Sequence, residues 1–174
     1  MSHTRCVTAS ISLAVLAMLG GACATAPEPA APAIDNLEFD AARTLDTFHR
    51  AAATADEDTY FHILALDGVF LGTDATERWS TPAFREFAEE YFKRDSAWTY
   101  VPFERHVDVS RDGKWAWFDE LLRNKTLGVC RGSGVMRRAV GRWEIVQYNL
   151  SMPVPNAIAE DVARQVRELD ASAP

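Results

Sequence analysis

One carboxylate stands among apolar neighbours in the second half of the chain. Glu120 lies between Phe118 and Leu122, at the two-residue spacing that places side chains on one face of a β-strand. A carboxylate on such a face must be paired, or its pKa rises. Glu120 is therefore predicted to be a pocket acid or a ligand anchor. The alternative is a strand-end glutamate that pairs with Arg85, Arg105 or a loop lysine.

A few other residues could contribute chemistry or contact a ligand beside this carboxylate. Tyr148 is the expected hydrogen-bond partner of Glu120, and His62 or His106 could act as a general base, although either could equally be a packing or surface residue. Cys130 is predicted to be a small buried side chain of the pocket, since a nucleophilic role would need a neighbouring histidine. Trp79 could form the mouth of the pocket or belong to the core.

Several classes of function are disfavoured by composition and by the absence of motifs. The sequence contains no HExxH, GxSxG, P-loop or glycine-rich dinucleotide turn, so we expect neither a metal nor a nucleotide cofactor. The net charge of −7 argues against a nucleic-acid surface, because phosphate binding requires clustered lysine and arginine. Of Cys6, Cys23 and Cys130, two lie in the N-terminal segment, which leaves the folded part without a partner for an internal disulfide.

The first half of the folded part has the periodicity of helices. Apolar residues recur at helical spacing between residues 37 and 55, and a shorter helix is predicted over residues 59–65. Ser80 or Thr81 should cap a third helix, with Pro82 tolerated in its first turn.

After Ser96 the apolar period changes from helical spacing to two, which indicates β-strands. Pro102 predicts that the first of these is an edge strand or contains a bulge. The strands are predicted over residues 98–109, 114–123, 129–139 and 143–151. Helices followed by a meander of strands indicate an α+β fold, with the helices on one face of an antiparallel sheet.

Alternation along the strands sorts their residues onto two faces. The more apolar face is predicted to contact the helices and hold the pocket, and its two glycines would let a helix approach closely; it comprises Ala116, Phe118, Glu120, Leu122, Cys130, Gly132, Gly134, Met136, Val146, Tyr148 and Leu150. The other face is mixed and aromatic, as expected of a subunit interface. Its members are Trp117, Asp119, Leu121, Arg131, Ser133, Val135, Arg137, Trp143, Ile145, Gln147, Asn149 and Ser151.

The last two strands carry a family resemblance. The sequence GRWEI at residues 141–145 follows a long strand that contains RGSG at 131–134, and the final strand ends in a polar tip at Asn149 and Ser151. Over residues 37–153 this arrangement resembles the nuclear transport factor 2-like (NTF2-like) superfamily, and within it the SnoaL-like domains. The resemblance implies a cone-shaped domain with a curved sheet wrapped around N-terminal helices, a pocket at the open end and often a homodimer. It implies no single function, because the superfamily includes isomerases, cyclases, dehydratases and noncatalytic binding proteins.

Residues 1–23 have the pattern of an export signal, with a basic residue, an apolar run and then small residues. The run is shorter than the roughly 20 residues that span a membrane. LGGAC at 19–23 resembles a bacterial lipobox with Cys23 as the lipidated residue, although the leucine lies one position too far upstream. The alternatives are ordinary signal cleavage after Ala24 or Ala26, or a cytoplasmic protein with a buried N-terminal helix.

The flanking segments complete the domain organisation and predict a location in the periplasm or cell envelope. Residues 24–36 are rich in proline and alanine and are predicted to be an extended tether, and residues 154–174 a peripheral helix and tail. Three functions remain open: a noncatalytic domain that binds a small molecule, a cofactor-independent enzyme that uses Glu120 or a histidine, and an interaction protein with a filled pocket. A homodimer through the outer sheet face is expected in each case.

Overall fold

A computed structural model of the chain describes residues 33–172. The elements are α1 (Ile34–Ala53), α2 (Glu57–Ile63), β1 (Leu64–Leu71), β2 (Arg78–Ser80), α3 (Thr81–Phe92), β3 (Val101–Val109), β4 (Trp115–Asn124), β5 (Gly128–Ala139), β6 (Arg142–Ser151) and α4 (Ala159–Ser172), the last preceded by a 3-10 turn, Asn156–Ile158. The predicted α+β fold is confirmed. The export signal, Cys23 and most of the predicted tether lie outside the described residues.

The six strands form one curved, mixed sheet. Their order is β2-β1-β6-β5-β4-β3, and every neighbouring pair is antiparallel except β1 and β6, which run parallel. β3 is an edge strand, and its pairing with β4 shifts register between Pro102 and Glu104. Pro102 has no N–H to donate to a neighbouring strand, so both features follow from this residue, as predicted.

The helices begin where local chemistry favours them. The Asp56 side chain accepts a hydrogen bond from the Thr59 N–H and caps α2, and the Ser80 hydroxyl accepts one from the Ala83 N–H and caps α3. Pro82 lies in the first turn of α3, as predicted. The apolar face of α1 is buried against the sheet. This helix begins three residues earlier than predicted, without a side-chain cap.

A bulge in β6 overturns part of the face assignment. Met136 pairs with Ile145 while Val135 pairs with Gln147, so Val146 is an additional residue in this strand. The bulge breaks the strict alternation, and Trp143 and Ile145 therefore point into the core instead of the outer face. Val146, which was assigned to the inner face, is only half-buried.

The core between the helices and the sheet is unusually rich in aromatic rings. Phe48 of α1 stacks on Tyr60 of α2 with ring centroids 4.3 Å apart, and Phe70 of β1 stacks on Phe84 of α3 at 3.9 Å. The first stack joins α1 to α2 and the second joins α3 to the sheet, and Tyr60 and Phe61 of α2 also contact the Phe84 ring of α3, so aromatic contacts connect all three helices. Between residues 33 and 172, none of the helices has both the length and the apolar character of a membrane span.

Trp143 tests the corrected face assignment, because its side chain is 4% exposed. Trp143→Ala should lower the free energy of unfolding by about 3–5 kcal/mol, the usual cost of emptying a large buried site. Urea denaturation followed by circular dichroism measures this loss. Phe39→Ala is the control, since Phe39 is another large aromatic residue and is 64% exposed on α1. Equal losses for the two variants would contradict a core position for Trp143.

Candidate functional site

Glu120 is the most deeply buried charged residue of the part of the chain that the structure describes, with a relative exposure of 0%. Its two carboxylate oxygens contact three side chains. His49 Nε2 lies 2.6 Å from Oε1, Arg105 Nε donates to Oε2 at 2.8 Å, and the Tyr148 hydroxyl donates to Oε1 at 3.1 Å. Because a carboxylate accepts hydrogen bonds, His49 Nε2 must carry a proton in this arrangement. We call these four residues the Glu120 network.

Each member of the network comes from a different element. Arg105 is directly opposite Glu120 in the pairing of β3 with β4, and His49 lies on the buried face of α1. Tyr148 reaches Glu120 from β6 across Gly132, the residue of β5 opposite Glu120. A β-carbon at position 132 would collide with the Tyr148 hydroxyl and lie 3.0 Å from Glu120 Oε1. The glycine therefore makes room for these side chains, and not for a helix as the sequence had indicated.

The second glycine of this face is also closely surrounded, but by backbone as well as by a side chain. A β-carbon at Gly134 would collide with the Gln147 carbonyl of the bulged strand β6 and come within 2.9 Å of the Phe118 ring. Together these side chains occupy the concave surface around Glu120. Five of the clefts in the described part of the chain have linings that do not include Glu120, Cys130 or Tyr148.

The Glu120 carboxylate stays charged although it is buried, because it is paired with His49 and Arg105. Burial alone would raise the pKa of the Glu120 carboxyl, but the hydrogen bond and charge of His49 and the charge of Arg105 outweigh it, and the pKa lies below its ordinary value of 4.5. Burial, followed by the negative charge of Glu120, raises the pKa of the Tyr148 hydroxyl well above its ordinary value, so this group stays protonated and donates.

Arg105 extends the network to the protein surface. Its Nη1 donates to the Ala42 carbonyl at 2.9 Å and to Asp46 Oδ1 at 2.7 Å, and Asp46 is exposed. The Arg105 Nη2 atom is buried and has no acceptor among the described residues. The network thus connects α1 to β3, β4 and β6 through hydrogen bonds, and nearly all of its hydrogen-bond donors have acceptors. Such a network fits a role in stabilising the fold.

A separate cleft lies at the end of the sheet where β1, β2, α3 and the segment before β3 meet. Its volume is about 230 Å³. Seven aromatic side chains line it: Phe70, Trp79, Phe84, Phe87, Tyr91, Trp98 and Tyr100. We call this the aromatic cleft. Its polar lining includes Thr73 and Glu77, and Ala97 and Leu150 complete its apolar wall.

The rings of the aromatic cleft hold each other in place. Trp79 stacks on Phe87 with centroids 4.9 Å apart, and Phe70 stacks on Phe84 on the inner side. Phe70 also stacks on Tyr148, at 5.5 Å. Tyr148 and Phe70 therefore form a contact path between the Glu120 network and the cleft, and Glu120 itself does not line the cleft.

The remaining predicted site residues lie apart from both features. His62 is exposed, contacts Arg142 and borders two larger clefts of about 480 and 670 Å³. His106 is exposed, and strand alternation places it opposite the face of β3 that carries Arg105. Cys130 is fully buried beside Leu122, and burial raises the pKa of its thiol, which disfavours the thiolate that a nucleophile requires.

Charges around the second of these larger clefts, of about 670 Å³, are already paired within the protein. Arg137 contacts Asp67 and Glu144, and Arg142 contacts Glu144 as well. Because these arginines already have carboxylate partners, they do not require a charged ligand in the cleft. Within the described residues no group of three or more His, Cys, Asp or Glu side chains is arranged to hold a metal ion.

Sequence reasoning missed His49 of the Glu120 network and the wall of the aromatic cleft, although the position of His49 carried a signal. His49 is four residues after Leu45 and three before Ala52, so helical spacing places it on the buried face of α1. A histidine in that position requires a polar partner in the core. The aromatic cleft forms because β2 and residues 97–100 lie against the aromatic rings of α3. The sequence pattern does not indicate where these two segments fold.

The curved mixed sheet, the helices on its concave face and the cleft at one end define an NTF2-like domain. The family model of the SnoaL-like domain matches residues 42–155, more than half of the chain, so the chain belongs to this family. A comparison with curated proteins found no match.

Solved structures with the same fold are distant in sequence. An NTF2-like protein of unknown function from Pseudomonas putida KT2440 is 16% identical, with a TM-score of 0.59 over 70% of this chain and 90% of that one. A candidate dehydratase of the NTF2-like family from Streptomyces avermitilis is 12% identical, with a TM-score of 0.60 over 70% and 99%. A candidate ketosteroid isomerase from Shewanella frigidimarina is 18% identical, with a TM-score of 0.51 over 66% and 97%. At these identities the likeness concerns the fold alone.

Glu120→Gln tests the structural role of the network. Neutralising the carboxylate removes the buried counter-charge of Arg105, which then keeps only the exposed carboxylate of Asp46, so the free energy of unfolding should fall by about 3–5 kcal/mol at neutral pH. Urea denaturation measures the loss, and Asp119→Asn, one residue away and exposed, is the matched control. A loss no greater than that of the control would contradict this role.

The difference in stability between wild type and Glu120→Gln should also depend on pH. Because the folded-state pKa of Glu120 is lowered, its stabilisation is complete above the unfolded value of about 4.5 and is lost as pH falls through the folded value. The difference in stability between wild type and Glu120→Gln should therefore be present at pH 5 and narrow as the pH falls below about 4.5. A difference that persists unchanged to the acid limit of folding would contradict the lowered pKa.

Proposed function

We propose that this domain is a noncatalytic binding module whose aromatic cleft holds a small, largely apolar molecule. The observation that carries this proposal is the exposure of large rings at the cleft: Phe87 is 44% exposed, and Trp79, Tyr91, Trp98 and Tyr100 are only partly buried. Removing apolar surface from water is worth about 25 cal/mol per Å², so a ligand that covers these rings gains free energy. Aromatic walls with a few polar groups are also typical of small-molecule sites.

The volume of the cleft sets the size of the ligand. At about 230 Å³ it is slightly smaller than the ~300–1,000 Å³ usual for ligand pockets, so it fits a single ring or a short branched chain. The stacked pairs behind it limit rearrangement of the wall, which favours a preformed site.

The alternative is a cofactor-independent isomerase or dehydratase, in which Glu120 or a histidine moves a proton and Tyr148 polarises a carbonyl. Its support is the 2.6 Å approach of His49 to Glu120, which brings two titratable groups together. Against it, both groups are buried and outside the aromatic cleft, so a substrate in that cleft would not touch them.

A further alternative is an interaction protein with a filled pocket. The filled space around Glu120 agrees with it, but the aromatic cleft is open.

Nuclear magnetic resonance with indole as a probe tests binding. Indole should shift the side-chain N–H signals of Trp79 and Trp98, which line the cleft, and leave those of Trp115 and Trp117, on the outer face, unchanged. Thr73→Phe would obstruct the cleft and should weaken binding at least about tenfold. Ala75→Phe is the matched control, because Ala75 is exposed in the same loop but does not line the cleft. Binding that Thr73→Phe leaves intact would contradict the site.

We also propose that the domain is exported, anchored through Cys23 and paired with a second copy through the outer sheet face. The LGGAC sequence supports the anchor, with ordinary signal cleavage as the alternative. Trp115 and Trp117 support the interface, because both are more than 40% exposed on one face of β4, and tryptophan is enriched where subunits meet.

Native mass spectrometry of protein purified from membranes tests both parts of this second proposal. We expect a chain that begins at Cys23 with lipid attached, in a dimer. Cys23→Ala should lose the lipid, and Trp117→Glu should yield monomers that still carry it. A mass that corresponds to cleavage after Ala24 or Ala26 would contradict the anchor, and a monomeric wild type would contradict the interface.

A further inference from the structure

A carboxylate without a counter-ion borders the aromatic cleft. Glu77 lines the cleft and is half-buried, yet it forms no ion pair with any basic side chain of residues 33–172. The two buried carboxylates of the described residues are paired, Glu120 with Arg105 and Glu144 with Arg137 and Arg142. Because withdrawing a charge from water is unfavourable unless it is compensated, a cation that enters the aromatic cleft would gain free energy by pairing with Glu77.

The loop before β2 fixes the position of this carboxylate. The Gly72 N–H donates to the Glu77 carbonyl at 2.9 Å, and the Asp74 N–H donates to Glu77 Oε2 at 3.1 Å. A β-carbon at position 72 would collide with the Glu77 carboxylate, so only glycine lets the side chain fold back over the end of β1. Burial raises the pKa of the Tyr100 hydroxyl, with smaller contributions from Cys130 and Glu77, which agrees with the carboxylate lying near this ring.

The rings beside Glu77 have the electronic character that binds cations. The faces of tryptophan and tyrosine rings are negative, and they attract ammonium and guanidinium groups. One ring of the cleft already makes such a contact, since the guanidinium carbon of Arg94 lies 4.6 Å from the Tyr91 centroid. Trp79, Trp98 and Tyr100 offer further rings in the same small volume as the carboxylate.

We propose that the ligand of the aromatic cleft is a small organic cation, an ammonium group with apolar substituents, whose charge is neutralised by Glu77 and whose substituents contact the rings. This inference rests on the proposed binding function and specifies the chemical class of the ligand. A neutral molecule of the same shape could contact the rings but would leave Glu77 uncompensated.

Choline and 3,3-dimethylbutan-1-ol form the test, because they have nearly the same shape and only choline is charged. Both are titrated against the full-length protein while the Trp79 and Trp98 N–H signals are followed. We expect choline to bind about tenfold more tightly than the alcohol, equivalent to about 1.4 kcal/mol. Glu77→Gln can still accept from the Asp74 N–H, so it should fold, bind the alcohol as before and lose most of the preference for choline.

Glu86→Gln is the matched control, because Glu86 is an exposed carboxylate of α3 that does not line the aromatic cleft. It makes the same change in net charge and should retain the preference. An alcohol that binds as tightly as choline, or a preference that survives Glu77→Gln, would overturn this inference while leaving the binding function in place. Absence of binding by choline, the alcohol and indole alike would overturn both.

Discussion

The fold depends on how a buried carboxylate is kept charged. Glu120 lies on the concave side of the sheet, where an unpaired negative charge would be strongly unfavourable. Its pairing with Arg105, His49 and Tyr148 requires a helix and three strands to meet at fixed distances. The network therefore selects one arrangement of α1 on the sheet. Apolar packing alone, being non-directional, would specify that arrangement less closely.

This requirement also decides where a ligand can go. The side chains that satisfy Glu120 lie over the middle of the concave surface, and Gly132 of β5 leaves room for Tyr148 and Glu120 there. The open space is displaced to the end of the sheet, where the rings of α3 meet β1 and β2. In this protein the polar centre and the ligand cleft are therefore different places, linked through contacts between aromatic rings such as the stacked pair Phe70 and Tyr148.

Much of the fold could be predicted from interactions between residues close in sequence, whereas features that depend on contacts between distant residues could not. Pro102, Ser80 and the apolar spacing of α1 act within a few residues, so their consequences could be read from the sequence. The anomaly of Glu120 was also evident, but its partner His49 is 71 positions away and no local pattern connects them. The bulge at Val146 reversed the faces of Trp143 and Ile145, because one inserted residue exchanges the sides of every residue beyond it.

The central claim is that the Glu120 network and the aromatic cleft are separate, so the network takes no part in binding. Replacing the whole network by apolar side chains of similar size (His49→Leu, Arg105→Met, Glu120→Met and Tyr148→Phe together) removes its charges without leaving one unpaired, and such replacements often preserve folding. The decisive measurement is the affinity of this variant for indole. We predict a folded protein whose Kd is within about twofold of wild type, as expected for sites that act independently. A folded variant that no longer binds indole would contradict the account.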